Sequence, residues 1–500
     1  GLLSARTNGA PDQCHIHQRA FVADDHASHP MRFARRFDRR RAACPGAEVA
    51  AIEGITGAGG VLKKGTGDAT MSTANTFTGG VRIESGRLVV PTMSNGGAAS
   101  PLGAAPAAAA NLVLAGGTLA YSGVTASSDR GFTVSTNPSS LEVVEANTTL
   151  TLTGQARGTT GEFHKSGAGT LALSAATNAI ANVRIDDGKL AFVGPGNTPA
   201  SQTSSIAGEL WVGGKPDQGG SLEVTNATLN VSSWMAMGRG TGTSGAVSTG
   251  TVTNSIVRVA NFSMGYANDI AGNFGTQTLE IVNSTFANAG DTNIGESDGS
   301  GSTITISGGS AVTSTNRTLI GMGGSASGTL IVEDDSSYTT GGWLSIGQNG
   351  TGTLTVRDNA SFSMNADFNV TDLAGSTGTL NISDNATVTG GPTFIGKGSG
   401  TVGTVNISGG TFNAGGGGEV QIGSNGDGNW NQTGGTTNVT GWFSIGRYAG
   451  AAGTLTVDGG SVNQLSVDRQ MVVGEDSTGT LTLNGGAVNV SGSTGLLVGW

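Results

Sequence analysis

From residue 200 onward the chain repeats one short pattern: an apolar residue, any residue, then Ile, Val or Met, then Gly. It reads Trp211-Val212-Gly213, Met235-Ala236-Met237-Gly238 and Phe262-Ser263-Met264-Gly265. It continues at Ile294-Gly295, Ile320-Gly321, Ile346-Gly347, Ile395-Gly396, Ile422-Gly423, Ile445-Gly446, Val473-Gly474 and Val498-Gly499. Between Gly347 and Gly396, Val370-Thr371 keeps the register with Thr in place of Gly. Gly213 to Gly499 is 286 residues in eleven steps of 23 to 30, or 26 residues per step.

Two further patterns keep phase with the first. One is Gly-Thr-Leu-x-Val, as in Gly328 to Val332, Gly352 to Val356, Gly378 to Ile382 and Gly453 to Val457. The other is Ser or Thr followed by one apolar residue, as in Thr228-Leu229, Ser361-Phe362, Thr387-Val388, Thr411-Phe412 and Ser461-Val462. All three alternate with period two, the strand signal, and none carries a helical stripe. Leu354, Val356, Phe362, Leu344 and Ile346 then point inward, and the Ser and Thr between them point to solvent. Strands divided by short corners pair with the same strand one repeat on. The fold class is therefore all-β: a right-handed parallel β-helix (β-solenoid) of about 26 residues per coil. Twelve coils at an interstrand distance of roughly 4.8 Å span roughly 55 Å. Asp358-Asn359, Asp384-Asn385, Gly409-Gly410 and Gly459-Gly460 fall at corners, where Asn, Asp and Gly tolerate positive φ.

Composition agrees. Gly is 87 of 500 residues and Pro only 11, so the glycine belongs to corners and not to a collagen repeat. Charged residues are 12% and the formal net charge is −10. Residues 1–50 hold eight Arg against five acids, so the rest is more acidic still. An acidic body of this kind is a poor partner for nucleic acid or an anionic membrane. No run of 18 apolar residues occurs, so no transmembrane helix is expected. Both cysteines, Cys14 and Cys44, precede residue 45, so the repeats are held by packing and hydrogen bonds, not disulfides. Residues 1–50 are basic, aperiodic and without the apolar core of a signal peptide, and read as a disordered or non-native leader. Cys14, His15, His17, His26, His29 and Cys44 there fit no standard zinc spacing. Residues 51–199 are expected to be an irregular β-helix. Residues 200–500 are expected to be a regular one, truncated at the C-terminus.

Residues 59–90 read GGVLKKGTGDATMSTANTFTGGVRIESGRLVV and residues 162–194 read EFHKSGAGTLALSAATNAIANVRIDDGKLAFVG. At one offset, Lys63 matches Lys165, Gly65 matches Gly167, Gly67 matches Gly169, Ile83 matches Ile185, Gly86 matches Gly188 and Leu88 matches Leu190. The pair resembles the passenger-associated transport repeat, also called the autotransporter-associated β-strand repeat. Ala69-Thr70-Met71 and Ile180-Ala181-Asn182 depart from the usual Leu-x-Leu and Tyr-x-Gly. The resemblance implies an autotransporter passenger, exported by type V secretion and displayed on or released from the outer membrane of a Gram-negative-type bacterium. It also implies an outer-membrane translocator as partner, which is not among these 500 residues.

Candidate chemistry is sparse. No catalytic, cofactor-binding or metal-binding residues are assigned. Asp334, Asp358 and Asp384 fall at one corner of consecutive coils, and stacked carboxylates suit calcium, but Asp and the neighbouring Asn359 and Asn385 equally suit the turn itself. Trp234, Trp343 and Trp442 precede the inward residues of their strands and are expected to face out, as surface-binding candidates. Trp430 takes an inward position. His164, the one histidine in the repeats, has no partner identifiable from sequence. Gly415-Gly416-Gly417-Gly418 reads as a loosened corner and not a phosphate loop. The expected function is a non-enzymatic surface solenoid, adhesin or structural stalk, whose partners are surface glycans, other cells or further copies. The alternatives are a polysaccharide-processing β-helix enzyme, with residues 91–160 as the irregular stretch to house a cleft, or a stalk that assists secretion of an absent module.

Overall fold

The computed structural model describes residues 2–7, 14–19, 50–135, 138–214, 219–239, 247–266, 275–493 and 495–499. The regular secondary structure of the described residues is short strands, with two single-turn 3-10 helices at Ala109–Asn111 and Pro199–Ser201. Their strands pair in parallel with the equivalent strand of the next coil, so the protein is a β-solenoid of about 25 residues per turn. The chain divides into two compact units, Gly1–Arg184 with Gly188–Val193, and Ile185–Asp187 with Gly194–Trp500.

In the second unit each coil offers three faces. A representative coil has Thr351–Val356 on the first, Ser361–Ser363 on the second and Phe368–Val370 on the third. First-face strands run as a continuous parallel ladder from Gly220–Thr225 to Thr478–Leu483. Leu330, Leu354, Leu380, Val405, Trp430 and Leu455 stand in register along it, all fully buried. The predicted inward residues Val356, Phe362, Leu344 and Ile346 are also buried. Aromatic rings continue the core from coil to coil: Tyr338 stacks on Phe362 at 5.2 Å, and Phe368, Phe412, Trp430 and Phe443 follow at 5.5 to 6.4 Å.

Corners set the coil length. After the third strand, Gly295, Gly321, Gly347 and Gly396 hold φ between 65 and 72 or, at Gly347, 76. A Cβ on Gly347 would lie 2.2 Å from the Thr377 carbonyl oxygen, so glycine is required both by φ and by the approach of the next coil. Thr371 occupies this corner at φ 79, a β-branched residue in left-handed backbone. The corner after the first strand is built differently along the chain. Asn226, Asn254 and Asn283 take φ 46 to 53, Asp334, Asp358 and Asp384 take 57 to 58, and Gly410, Gly435 and Gly460 follow. Beside it, a buried serine stack joins coils. The Ser255, Ser284, Ser310 and Ser336 hydroxyls accept the backbone N–H of Ala227, Ser255, Ser284 and Ser310 respectively. The glycine run 415–417 has φ of 90, 36 and 78, a widened corner.

In the first unit, second-face strands stack from Val61–Lys63 through Val81–Ile83 and Leu112–Leu114 to Phe132–Val134. First-face strands begin only at Ala126–Ser128. The stretch from residue 91 to 111 instead wraps a buried guanidinium. Arg130, 3% exposed, donates to the carbonyls of Ser94 at 2.9 Å, Gly103 at 2.7 Å and Ala105 at 3.2 Å. Residues 94–105, part of the stretch 91–160 named above, are thus packed around Arg130, with Leu102 and Ala105 fully covered. Two segments of the first 49 residues are described. Leu2–Thr7 and Cys14–Arg19 form an antiparallel pair, and Leu3 to Ala5 align in parallel with Val61 to Lys63. The rest of residues 1–49 lies outside the described residues, and with it His26, His29 and Cys44 of the zinc reading.

Candidate interaction surfaces

The two repeat copies are built around a buried lysine. Lys63 is 3% exposed and donates to the carbonyls of Gly65 at 2.7 Å, Ser85 at 3.0 Å and Lys64 at 3.3 Å. Lys165 is fully buried and donates to Gly167 O at 2.7 Å and Ser166 O at 2.9 Å. An ammonium has three donors and no acceptor, so a ring of carbonyls satisfies it as a carboxylate would. The motif glycines make room for it. A Cβ on Gly86 would fall 2.5 Å from Lys63 Nζ and 2.3 Å from Gly65 O, and one on Gly188 2.4 Å from Gly167 O. Lysine, the two following glycines and the glycine of the next strand are thus one packed unit.

The sequence-selected tryptophans share the third face but not a platform. Trp234, Trp343 and Trp442 are each partly buried and lie in separate coils. Two of them carry a guanidinium that alternation does not foretell. Arg317 lies 5.6 Å from the Trp343 ring, and Arg447 lies 5.3 Å from both Trp442 and Tyr448. Each arginine is itself paired, Arg317 with Asp291 and Arg447 with Glu475. Trp211, passed over in the sequence, heads the densest cluster: Arg239 stands 4.1 Å from its ring and 5.2 Å from Tyr266, and Glu209 accepts from both Trp211 Nε1 and Arg239. Ser263 and Glu296 pair nearby, and burial pushes the Glu296 carboxyl above its ordinary range. Trp430 is fully enclosed. His164 does have a partner, Glu162, whose Oε1 is 2.7 Å from Nε2; the two alternate on one strand, a proximity visible only once its outer side is fixed.

The three corner aspartates stack, and their carboxylates face backbone. Asp334 accepts from the N–H of Gly308 at 2.8 Å, Asp358 from Asp334 at 3.2 Å and Asp384 from Asp358 at 3.2 Å. Among the described residues no group of three or more His, Cys, Asp or Glu is placed to hold a metal ion.

Residues 61–90 and 163–192 match the passenger-associated-transport-repeat family, covering both lysine-centred units. A stretch of 128 residues, 25% of this chain, is 41% identical to the adhesin BmaC autotransporter of Brucella suis biovar 1 (strain 1330). The chain carries two passenger-associated transport repeats and is similar, over a quarter of its length, to an autotransporter. It spans only 4% of the length of that relative. No solved structure matches it.

The first face of the second unit carries a further feature. Thr249, Thr278, Thr303, Thr329, Thr353, Thr379 and Thr404 align one above another in successive coils. Each is partly exposed between buried neighbours. Asn429 interrupts the row, and Thr454 and Thr480 resume it. Beside it runs an amide ladder in which Asn406 donates to Asn381 at 3.0 Å and Asn431 to Asn406 at 3.1 Å.

Proposed function

We propose that this chain is an autotransporter passenger, a non-enzymatic adhesin or structural stalk held at the outer-membrane surface by a translocator. The observation that carries the reading is its 41% identity, over 128 residues, to an autotransporter named as an adhesin. The coil architecture supports it. Regular steps present the same polar side chains again and again, and many weak contacts add to useful avidity without any deep site.

The test is display. The chain is fused to a translocator barrel in a non-adherent Gram-negative host, and bacteria bound to cultured cells and to inert surfaces are counted. Adherence several-fold above that of the translocator alone supports the reading, and adherence equal to it sinks the adhesive half. Turnover of any glycan by the purified chain would overturn the non-enzymatic half.

A further inference from the structure

The threonine row on the first face, from Thr249 to Thr404, takes no part in the core, the corners or the repeat units. It is periodic, with one hydroxyl and one methyl per coil at a rise of roughly 4.8 Å. It is continuous, since the ladder pairs without a register shift from Val247–Thr253 to Val402–Ile407. It is also nearly uncharged from Gly301 onward, while Glu223 and Glu280 stand at outward positions of the earlier first-face strands. From Gly301 to Leu483, Asp427 is the one charged residue at the outward positions of the first-face strands. Each asparagine of the adjoining ladder gives one amide N–H to its neighbour and has a second to offer.

A partner suited to such a face is linear, repeats at a similar distance, and has both hydroxyls and C–H surface. An extended β-linked sugar chain meets all three conditions, with a per-sugar repeat close to the coil rise. The net charge of −10 selects among such chains, because an anionic polymer would be repelled by the body that carries the face. We propose that the first face of the second unit binds an extended, uncharged β-linked polysaccharide laid along the coil stack. The proposal rests on the adhesive reading above and gives it a ligand class. Each sugar contributes little, and affinity accumulates along the row.

The purified full chain is incubated with cellulose and chitin particles, and the fraction that co-sediments is measured against an anionic polygalacturonate gel. Retention on a neutral β-linked particle and not on polygalacturonate is expected. Thr329→Lys with Thr379→Lys breaks the row twice and is expected to cut retention roughly tenfold through lost avidity. Thr339→Lys with Thr387→Lys adds the same charge on the exposed second face and leaves retention unchanged. Should the lysine pair misfold by circular dichroism, Thr329→Val with Thr379→Val keeps the branched shape, removes two hydroxyls and must also lower retention. No retention on either neutral particle overturns the proposal, as does equal loss in the first- and second-face variants. Sedimentation of the wild type without particles, abolished by the first-face variants, assigns the face to a second copy and likewise overturns it. Displayed chain that adheres to cells yet ignores both particles refutes the glycan alone; loss of both refutes the adhesive reading as well.

Discussion

Thr371 offers a direct test of how the coils are closed. Its backbone is left-handed at φ 79, where the equivalent corners on either side use Gly347 and Gly396. Left-handed backbone costs a residue with a Cβ about 1–2 kcal/mol. Its hydroxyl is fully buried and finds no hydrogen-bond partner among the described residues, a further penalty of about 1–3 kcal/mol. Thr371→Gly removes both. Against this stand the greater freedom of an unfolded glycine, about 0.4–1 kcal/mol, and one lost buried methyl, about 0.8 kcal/mol. The balance is a stabilisation of about 1–2 kcal/mol, obtained by deleting a side chain. The reciprocal change, Gly347→Thr, imposes the same strain and sets a Cβ 2.2 Å from the Thr377 carbonyl oxygen. That clash is with backbone, so the cost is expected to exceed about 3 kcal/mol. A long stack opens locally, and one global unfolding energy does not describe it. Hydrogen exchange read by mass spectrometry on peptides spanning residues 344–382 is therefore the assay. Thr371→Gly should slow exchange there roughly tenfold, the equivalent of about 1.4 kcal/mol, and Gly347→Thr should speed it by more. Faster exchange in Thr371→Gly, or a tolerated Gly347→Thr, would refute the account of the corner.

Other expectations follow from the same contacts. Lys165→Met leaves the Gly167 and Ser166 carbonyls without their donor and should cost about 2–4 kcal/mol, seen as lost exchange protection across residues 163–192; protection equal to wild type would contradict the lysine-centred unit. Burial raises the Glu296 carboxyl, so the fold binds that proton more tightly than the unfolded chain does. Its contribution is full below the ordinary glutamate range and fades as pH rises through the raised value. Exchange in residues 290–300, corrected for intrinsic rates, should therefore grow from about pH 4 upward in the wild type and stay flat in Glu296→Gln; identical profiles would refute the assignment. Trp430→Ala should cost about 3–5 kcal/mol through the cavity left between Phe412 and Phe443. Trp430→Phe should be far milder, because it keeps the ring and removes a buried N–H that has no partner among the described residues; equal costs would show that the ring stack does not hold these coils.

Much of the site was hidden for a common reason. Trp343 was expected to face out because alternation assigns each residue to a face but does not say what the neighbouring coil places over it. Arg317, one coil earlier, covers it. His164 lacked a partner until its strand fixed which neighbours share its outer side. Trp211 was passed over because its phrase was counted as a coil marker, while Arg239 and Tyr266, which complete the cluster, stand in later coils. The threonine row carried a usable signal, the recurring Gly-Thr-Leu-x-Val, but each Thr also fits an ordinary strand. Only the pairing of Thr329 with Thr353 and Thr353 with Thr379 makes them a line.

The sequence by itself determined the coil. Period-two alternation names the inward residues, and glycine or Asx at fixed intervals names the corners, because both depend on local backbone geometry within a few residues. It also identified the repeat copies, since Lys63 and Lys165 recur with the same glycines. The tertiary structure alone decided what those residues do. Lys165 is a buried pin and not a surface charge because its partners are carbonyls of a turn closed over it. Arg130 is a hub because residues 94 to 105 come back to wrap it. Thr371 is strained because its coil keeps the register that glycine sets in its neighbours. In a stacked solenoid the decisive contacts join residues one coil apart, and what each meets there follows from register, which no single stretch of sequence contains.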